Sequence, residues 1–142
     1  MKTQLNLSRT LANLLIITII IVAYSGLVAQ TTTETDLKDF EIIIEKTTDG
    51  LKLECKKGSA WINLSFSLSD KKEMAIDEYG MSDLNRVSAN KNSKLADYLI
   101  TIMKTDEGIK LKGVEGTAWT KLSFTLKNGE RQAINQFGMI AL

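Results

Sequence analysis

One property limits what this 142-residue chain can fold into more than any other: shifted against itself by 58 positions, residues 40–84 align with 98–142 without a gap, and nineteen of the forty-five paired positions are identical. Such self-similarity marks a duplicated structural unit. The shared skeleton runs I-x-I-x-K-T-x-x-G-x-K-L, then G-S/T-A-W-x-x-L-S-F-S/T-L, then A-I-D/N-E/Q-Y/F-G-M. Between the copies, residues 85–97 are polar and lack a sustained apolar period, so they read as a solvated connector.

Within each copy the apolar residues alternate. Phe40, Ile42 and Ile44 recur as Tyr98, Ile100 and Ile102, and Leu51 and Leu53 recur as Ile109 and Leu111; period two predicts strands. Asp49-Gly50 and Glu107-Gly108 sit where a two-residue turn needs positive φ, which predicts Ile44 opposite Cys55 and Thr48 opposite Leu51. A third strand is expected at Leu64–Leu68 and Leu122–Leu126, with Ser and Thr on its outward side. Asn128-Gly129 turns the second copy into a fourth strand through Ile134, where the first copy has Asp70-Lys71. Each copy is thus expected to be a four-stranded antiparallel meander. About forty-five residues without disulfide or metal are marginal alone, so the copies should share a core. The expectation is an all-β domain of about eight strands, a two-sheet sandwich with pseudo-twofold symmetry. The alternative, propeller blades, would require several chains to close a ring.

Ahead of the repeats, Lys2 and Arg9 precede an apolar stretch, residues 11–29, and the sequence turns abruptly polar and Thr-rich from Gln30 to residue 39. Residues 1–29 therefore read as a signal peptide cleaved after Ala29. The alternative is an uncleaved membrane tether through residues 11–29, because about 18 apolar residues also suffice to span a bilayer. Both readings place the repeats outside the cytoplasm, in the periplasm or beyond. Without residues 1–29 the chain carries 16 basic and 17 acidic side chains, which gives no electrostatic reason to expect nucleic acid or a basic patch.

Composition removes most chemistry. The chain has no histidine, which excludes Ser-His-Asp and Cys-His nucleophilic sites and histidine-ligated metals. Its one cysteine excludes an intrachain disulfide and any cysteine-cluster metal site. No calcium-loop spacing, phosphate cradle or nucleophile elbow occurs, and no cofactor is expected.

The segments Gly58 to Leu68 and Asp77 to Met81, repeated in the second copy, resemble short exported β-repeat proteins of Bacteroidetes type. The resemblance covers both copies and implies export, as does the Ala29-Gln30 junction, but it brings no activity, cofactor or substrate. A second cysteine that such proteins often carry near the Gly-x-Ala-Trp segment is Ser59 or Thr117 here.

Trp61 and Trp119 are the candidate ligand-binding residues. Their parity is opposite to that of Leu64 and Phe66, so an unbroken strand would set both indoles on the outer face for a sugar or apolar ligand to stack on. A bulge at Gly58 and Gly116 would instead turn them into the core. Asp77 and Glu78 are the only candidate acid/base pair, and they oppose the amides Asn135 and Gln136 in the second copy; a proton-transfer role would not survive that replacement. Tyr79-Gly80-Met81 and Phe137-Gly138-Met139 read as core filler or as a soft partner surface. Cys55 is expected to face inward, with a dimer through an intermolecular disulfide as the alternative. Lys46, Lys104, Lys52 and Lys110 read as solvated strand-edge charges or as a grip on an anion. The sequence therefore points to an exported, non-catalytic binding or structural module of the envelope or exterior, engaging a protein or glycan. The alternatives are a membrane-tethered envelope protein and, last, a carboxylate-dependent hydrolase.

Overall fold

Alternating apolar residues do form strands at every place where the period predicts one. The computed structural model describes residues 37–69, 71–84 and 92–142; the expected export segment and residues 85–91 of the connector lie outside this range. The first copy supplies β1 (Glu41–Lys46), β2 (Gly50–Lys57), β3 (Asn63–Ser67), β4 (Glu73–Asp77) and β5 (Gly80–Ser82). The second supplies β6 (Leu99–Lys104), β7 (Gly108–Glu115), β8 (Lys121–Thr125), β9 (Arg131–Asn135) and β10 (Gly138–Ile140). The fold is all-β, two antiparallel five-stranded sheets packed as a sandwich, and the described residues belong to one compact unit, Glu34–Leu142.

The copies are not two separate meanders. Sheet A has the order β10-β9-β1-β2-β3 and sheet B the order β5-β4-β6-β7-β8, so each sheet takes three strands from one copy and two from the other. The chain leaves β3, buries Leu68 between the sheets at 1% exposure, and enters the opposite sheet; Leu126 repeats the step after β8. Ile42 of β1 then pairs with Ile134 of β9, and Ile100 of β6 with Ile76 of β4. The strand count exceeds the sequence expectation because the three-residue β5 and β10 are too short to show a period.

The first hairpin also differs from expectation. Ile44 pairs with Leu53, Lys46 with Leu51 and Ile42 with Cys55, two residues away from the predicted register. An even shift keeps the same face inward. The turn is centred one residue earlier, on Thr48-Asp49: the Thr47 N–H donates to the Gly50 carbonyl at 3.0 Å and the Thr47 hydroxyl accepts the Gly50 N–H at 3.0 Å, an arrangement repeated by Thr105 and Gly108 at 2.9 and 3.1 Å. Gly50 and Gly108 are not at positive φ; a Cβ there would collide with the carbonyl oxygens of Phe66 and Phe124 on the neighbouring strand. Glycine is required by close strand approach, not by turn geometry.

The core joins both sheets: Ile42, Ile44, Leu51 and Leu53 from one, Ile100, Ile102, Ile109 and Leu111 from the other, all at most 2% exposed. Complete burial of side chains of this size stabilises by about 1.5–3 kcal/mol each. Phe40 and Tyr98, at the heads of β1 and β6, meet with ring centroids 4.5 Å apart and planes tilted by 33°, a favourable aromatic geometry.

Candidate functional site

The repeated G-S/T-A-W and D/N-E/Q-Y/F-G-M segments lie together at the end of each copy's β4–β5 or β9–β10 hairpin. The approach begins with a bulge: the register shifts between Glu41 and Ile42 opposite Lys57 and Cys55, and between Leu99 and Ile100 opposite Glu115 and Gly113. Gly58, at φ 93°, and Gly116, at φ 71°, follow. Their backbones press against Phe40 and Tyr98 too closely for a Cβ. The chain then turns inward. Ala60 N–H donates to the Glu78 carbonyl and Ala118 N–H to the Gln136 carbonyl, both at 2.8 Å.

Trp61 and Trp119 are buried, at 9% and 8% exposure, and belong to the core cluster. Each indole N–H donates across the sandwich at 3.0 Å, Trp61 to the Asp77 carbonyl and Trp119 to that of Asn135. This corrects the placement that strand parity suggested: both tryptophans precede β3 and β8, so the alternation of those strands does not extend to them. The indoles tie the sheets together and form no exposed stacking platform.

Asp77 caps its own hairpin. One carboxylate oxygen accepts the N–H groups of Tyr79 at 2.8 Å and Gly80 at 3.1 Å. Asn135 does the same for Phe137 and Gly138, at 2.8 and 3.1 Å. An acceptor oxygen is all this turn uses, and carboxylate and amide both supply one.

Glu78 and Gln136 are buried at 3% and 4% exposure. The Gln136 side-chain carbonyl accepts the Phe40 N–H at 3.2 Å, and its amide donates to Asp39 at 2.8 Å. Glu78 occupies the equivalent place beside the Tyr98 N–H, with Asp97 nearby. Burial, reinforced by the Asp77 and Asp97 carboxylates, pushes the Glu78 carboxyl above its ordinary range. Burial likewise raises the Tyr98 hydroxyl, which pairs with the Ser59 hydroxyl at 2.7 Å.

Sequence reasoning missed the role of two lysines. Lys46, 4% exposed, reaches from the first copy to the carbonyls of Thr105 at 2.9 Å and Asp106 at 2.8 Å in the second. Lys104, 9% exposed, returns the contact to the Thr48 carbonyl at 2.6 Å. They are reciprocal clamps between copies rather than solvated charges. The signal was present, because Lys46 continues the inward parity of Ile42 and Ile44. Cys55 is partly buried against the core, its thiol 3.2 Å from the Lys57 carbonyl.

Once these structural duties are assigned, the residues of the repeated segments left at the surface are the aromatic and the methionine. Tyr79 and Phe137 are 47% and 51% exposed, and Met81 and Met139 are 56% and 52% exposed. β5 and β10, which carry the methionines, are edge strands of their sheets. The sequence reading of these residues as core filler is therefore overturned. Among the described residues, no group of three or more side chains is arranged to hold a metal ion. No protein-family model, curated protein or solved structure matches the chain.

Proposed function

We propose that this is an exported, non-catalytic β-sandwich that binds an envelope or extracellular partner twice, through the hairpin ends bearing Tyr79 and Met81 and bearing Phe137 and Met139. One observation carries the reading: the duplication keeps an aromatic in the hairpin turn and a methionine on the edge strand exposed at the same two places of each copy. An aromatic beside a methionine is an adaptable apolar contact surface, and two linked weak sites raise avidity by roughly 10²-fold or more. The interchange of Asp77 and Asn135 without change of turn geometry supports a non-catalytic role.

The purified chain is mixed with isolated envelope fragments and sedimented. Tyr79→Ser or Phe137→Ser alone should weaken co-sedimentation, and the pair should abolish it with the β-sheet circular dichroism unchanged. Retention by the double variant rejects the reading. N-terminal sequencing tests the alternative of a tethered envelope protein: an intact Met1 in the membrane fraction supports the tether, and a chain starting near Gln30 removes it.

A further inference from the structure

The outer faces of the two sheets share a backbone and differ in charge. On sheet A, β2 and β3 set Lys52 opposite Ser65 and Glu54 opposite Asn63. Each charge in that square has a counter-charge, Lys52 with Glu45 at 3.9 Å and Glu54 with Arg131 at 2.6 Å and with Lys56. On sheet B the equivalent square sets Lys110 opposite Ser123 and Lys112 opposite Lys121. Three lysines and a serine thus share one exposed face, on Cβ atoms whose neighbours stand roughly 5–7 Å apart in a sheet. Among the described residues the carboxylate bonded to this square is Glu73, 2.5 Å from Lys112.

Like charges directly opposite across a strand pair are destabilising. The first copy avoids the conflict with Glu54 and Asn63, while the second accepts it with Lys112 and Lys121. The fold does not need these lysines, since the same backbone closes without them. Beside the square lies a hollow of 340 Å³ floored in part by Met103 and Thr101; the counterpart on sheet A, where Arg131 and Glu54 face each other, measures 110 Å³. The near-neutral charge of the chain concealed this segregation of lysines onto one face.

We propose that the outer face of sheet B binds an anionic saccharide, its sulfate, phosphate or carboxylate group seated among Lys110, Lys112, Lys121 and the Ser123 hydroxyl, with the sugar ring over Met103. The charge calls for an anion. The hollow has the size of a small-ligand site, and a recess on a sheet face suits a ring better than it suits a flat lipid surface. This site is separate from the hairpin ends and stands or falls independently of them.

The ¹⁵N-labelled full chain in non-ionic detergent is titrated in turn with glucose 6-sulfate, glucose 6-phosphate, glucuronate and glucose. Amide shifts should concentrate at residues 110–112 and 121–123, saturate with at least one charged sugar, and weaken as salt is raised; the charged sugar that binds tightest identifies the anion. Lys110→Gln with Lys121→Asn, the latter the first copy's residue, keeps the Lys112–Glu73 pair, should weaken binding at least tenfold and, by removing the like charge opposite Lys112, should raise the thermal midpoint. If that double variant fails to fold, Lys110→Gln alone serves, with weaker binding expected on an unchanged fold. Several outcomes overturn the proposal: no shift with any charged sugar, equal shifts with glucose, undiminished binding in the variant that folds, or binding to phosphatidylglycerol vesicles in place of the sugars.

Discussion

Phe40 and Tyr98 occupy equivalent buried positions at the heads of β1 and β6, and the surroundings of the two rings show how the copies have been allowed to diverge. The Tyr98 hydroxyl is buried and meets Ser59, the residue that in the other copy is Thr117. Phe40 has no hydroxyl to satisfy, and Thr117 turns instead to the Trp119 carbonyl at 2.7 Å. That rotation fills the space of a side chain at Gly113, whose added Cβ would collide with the Thr117 hydroxyl; the equivalent residue in the first copy is Cys55. Three substitutions thus belong together on each side. A buried polar atom must be paired, so one change inside the sandwich requires another. The outer faces keep one match with its signs exchanged, Glu54 with Arg131 on sheet A and Lys112 with Glu73 on sheet B, while Lys121 stands where the first copy has Asn63.

The largest expected effect tests whether the copies can be compared as independent units at all. Each sheet draws strands from both copies, so a chain ending after residue 84 leaves β1 without β9 and β4 without β6. Neither copy expressed alone should be a folded monomer; mixing the two fragments should restore β-sheet circular dichroism and a single cooperative melt. A monomeric, cooperatively folded copy by analytical ultracentrifugation and thermal melting would refute this interdependence.

Next come the tryptophans, which the comparison treats as equals. Trp61→Ala and Trp119→Ala should each cost about 3–5 kcal/mol, because each removes a large core side chain together with an indole hydrogen bond across the sandwich. Denaturant titration measures the cost, and fluorescence of the parent should be blue-shifted and resistant to iodide. Unequal losses of more than about 2 kcal/mol would break the equivalence.

These tryptophans also show where the sequence could be read and where it could not. Duplication and alternation carry the strands, the shared core and the sandwich, because side-chain period is a local property. Strand exchange is not local: Ile42 reads as inward whichever strand lies beside it, and its pairing with Ile134, 92 positions later, leaves no periodic trace. Parity alone could not assign Trp61 to a face, because a bulge and Gly58 intervene before β3, and it is the core placement expected from a bulge at Gly58 that the structure shows. Lys110 was singled out in the sequence as a strand-edge charge or a grip on an anion, but its grouping with Lys112 and Lys121 escaped notice, since net charge averages over faces that only the topology separates.

A smaller effect separates Glu78 from Gln136. Since the Glu78 carboxyl is held above its ordinary range, the folded state favours its protonated form. The stability contributed by that proton is fully present below the usual glutamate range and is lost as pH rises through the raised value. Glu78→Gln, the second copy's residue, can donate where a carboxylate cannot, as Gln136 does to Asp39. It should raise the melting midpoint at pH 7 by about 4 °C, the scale of ~1 kcal/mol in a domain of this size, with the gain shrinking toward pH 4. A gain that is constant with pH would remove ionisation as its cause.

The smallest effect is expected at Asp77, where the copies differ in charge and agree in geometry. Its carboxylate accepts two turn N–H groups at the same distances that Asn135 uses. Asp77→Asn retains an acceptor oxygen in that position and also relieves Glu78 of one neighbouring negative charge. Stability at pH 7 should therefore stay within about 0.5 kcal/mol of the parent, and the melting curves should nearly superimpose. Envelope co-sedimentation should also be unchanged, because the substitution leaves Tyr79 and Met81 in place. The same variant bears on the hydrolase alternative: glycoside, ester or peptide turnover by the parent that disappears with Asp77→Asn would give this carboxylate a chemical role that the turn does not require.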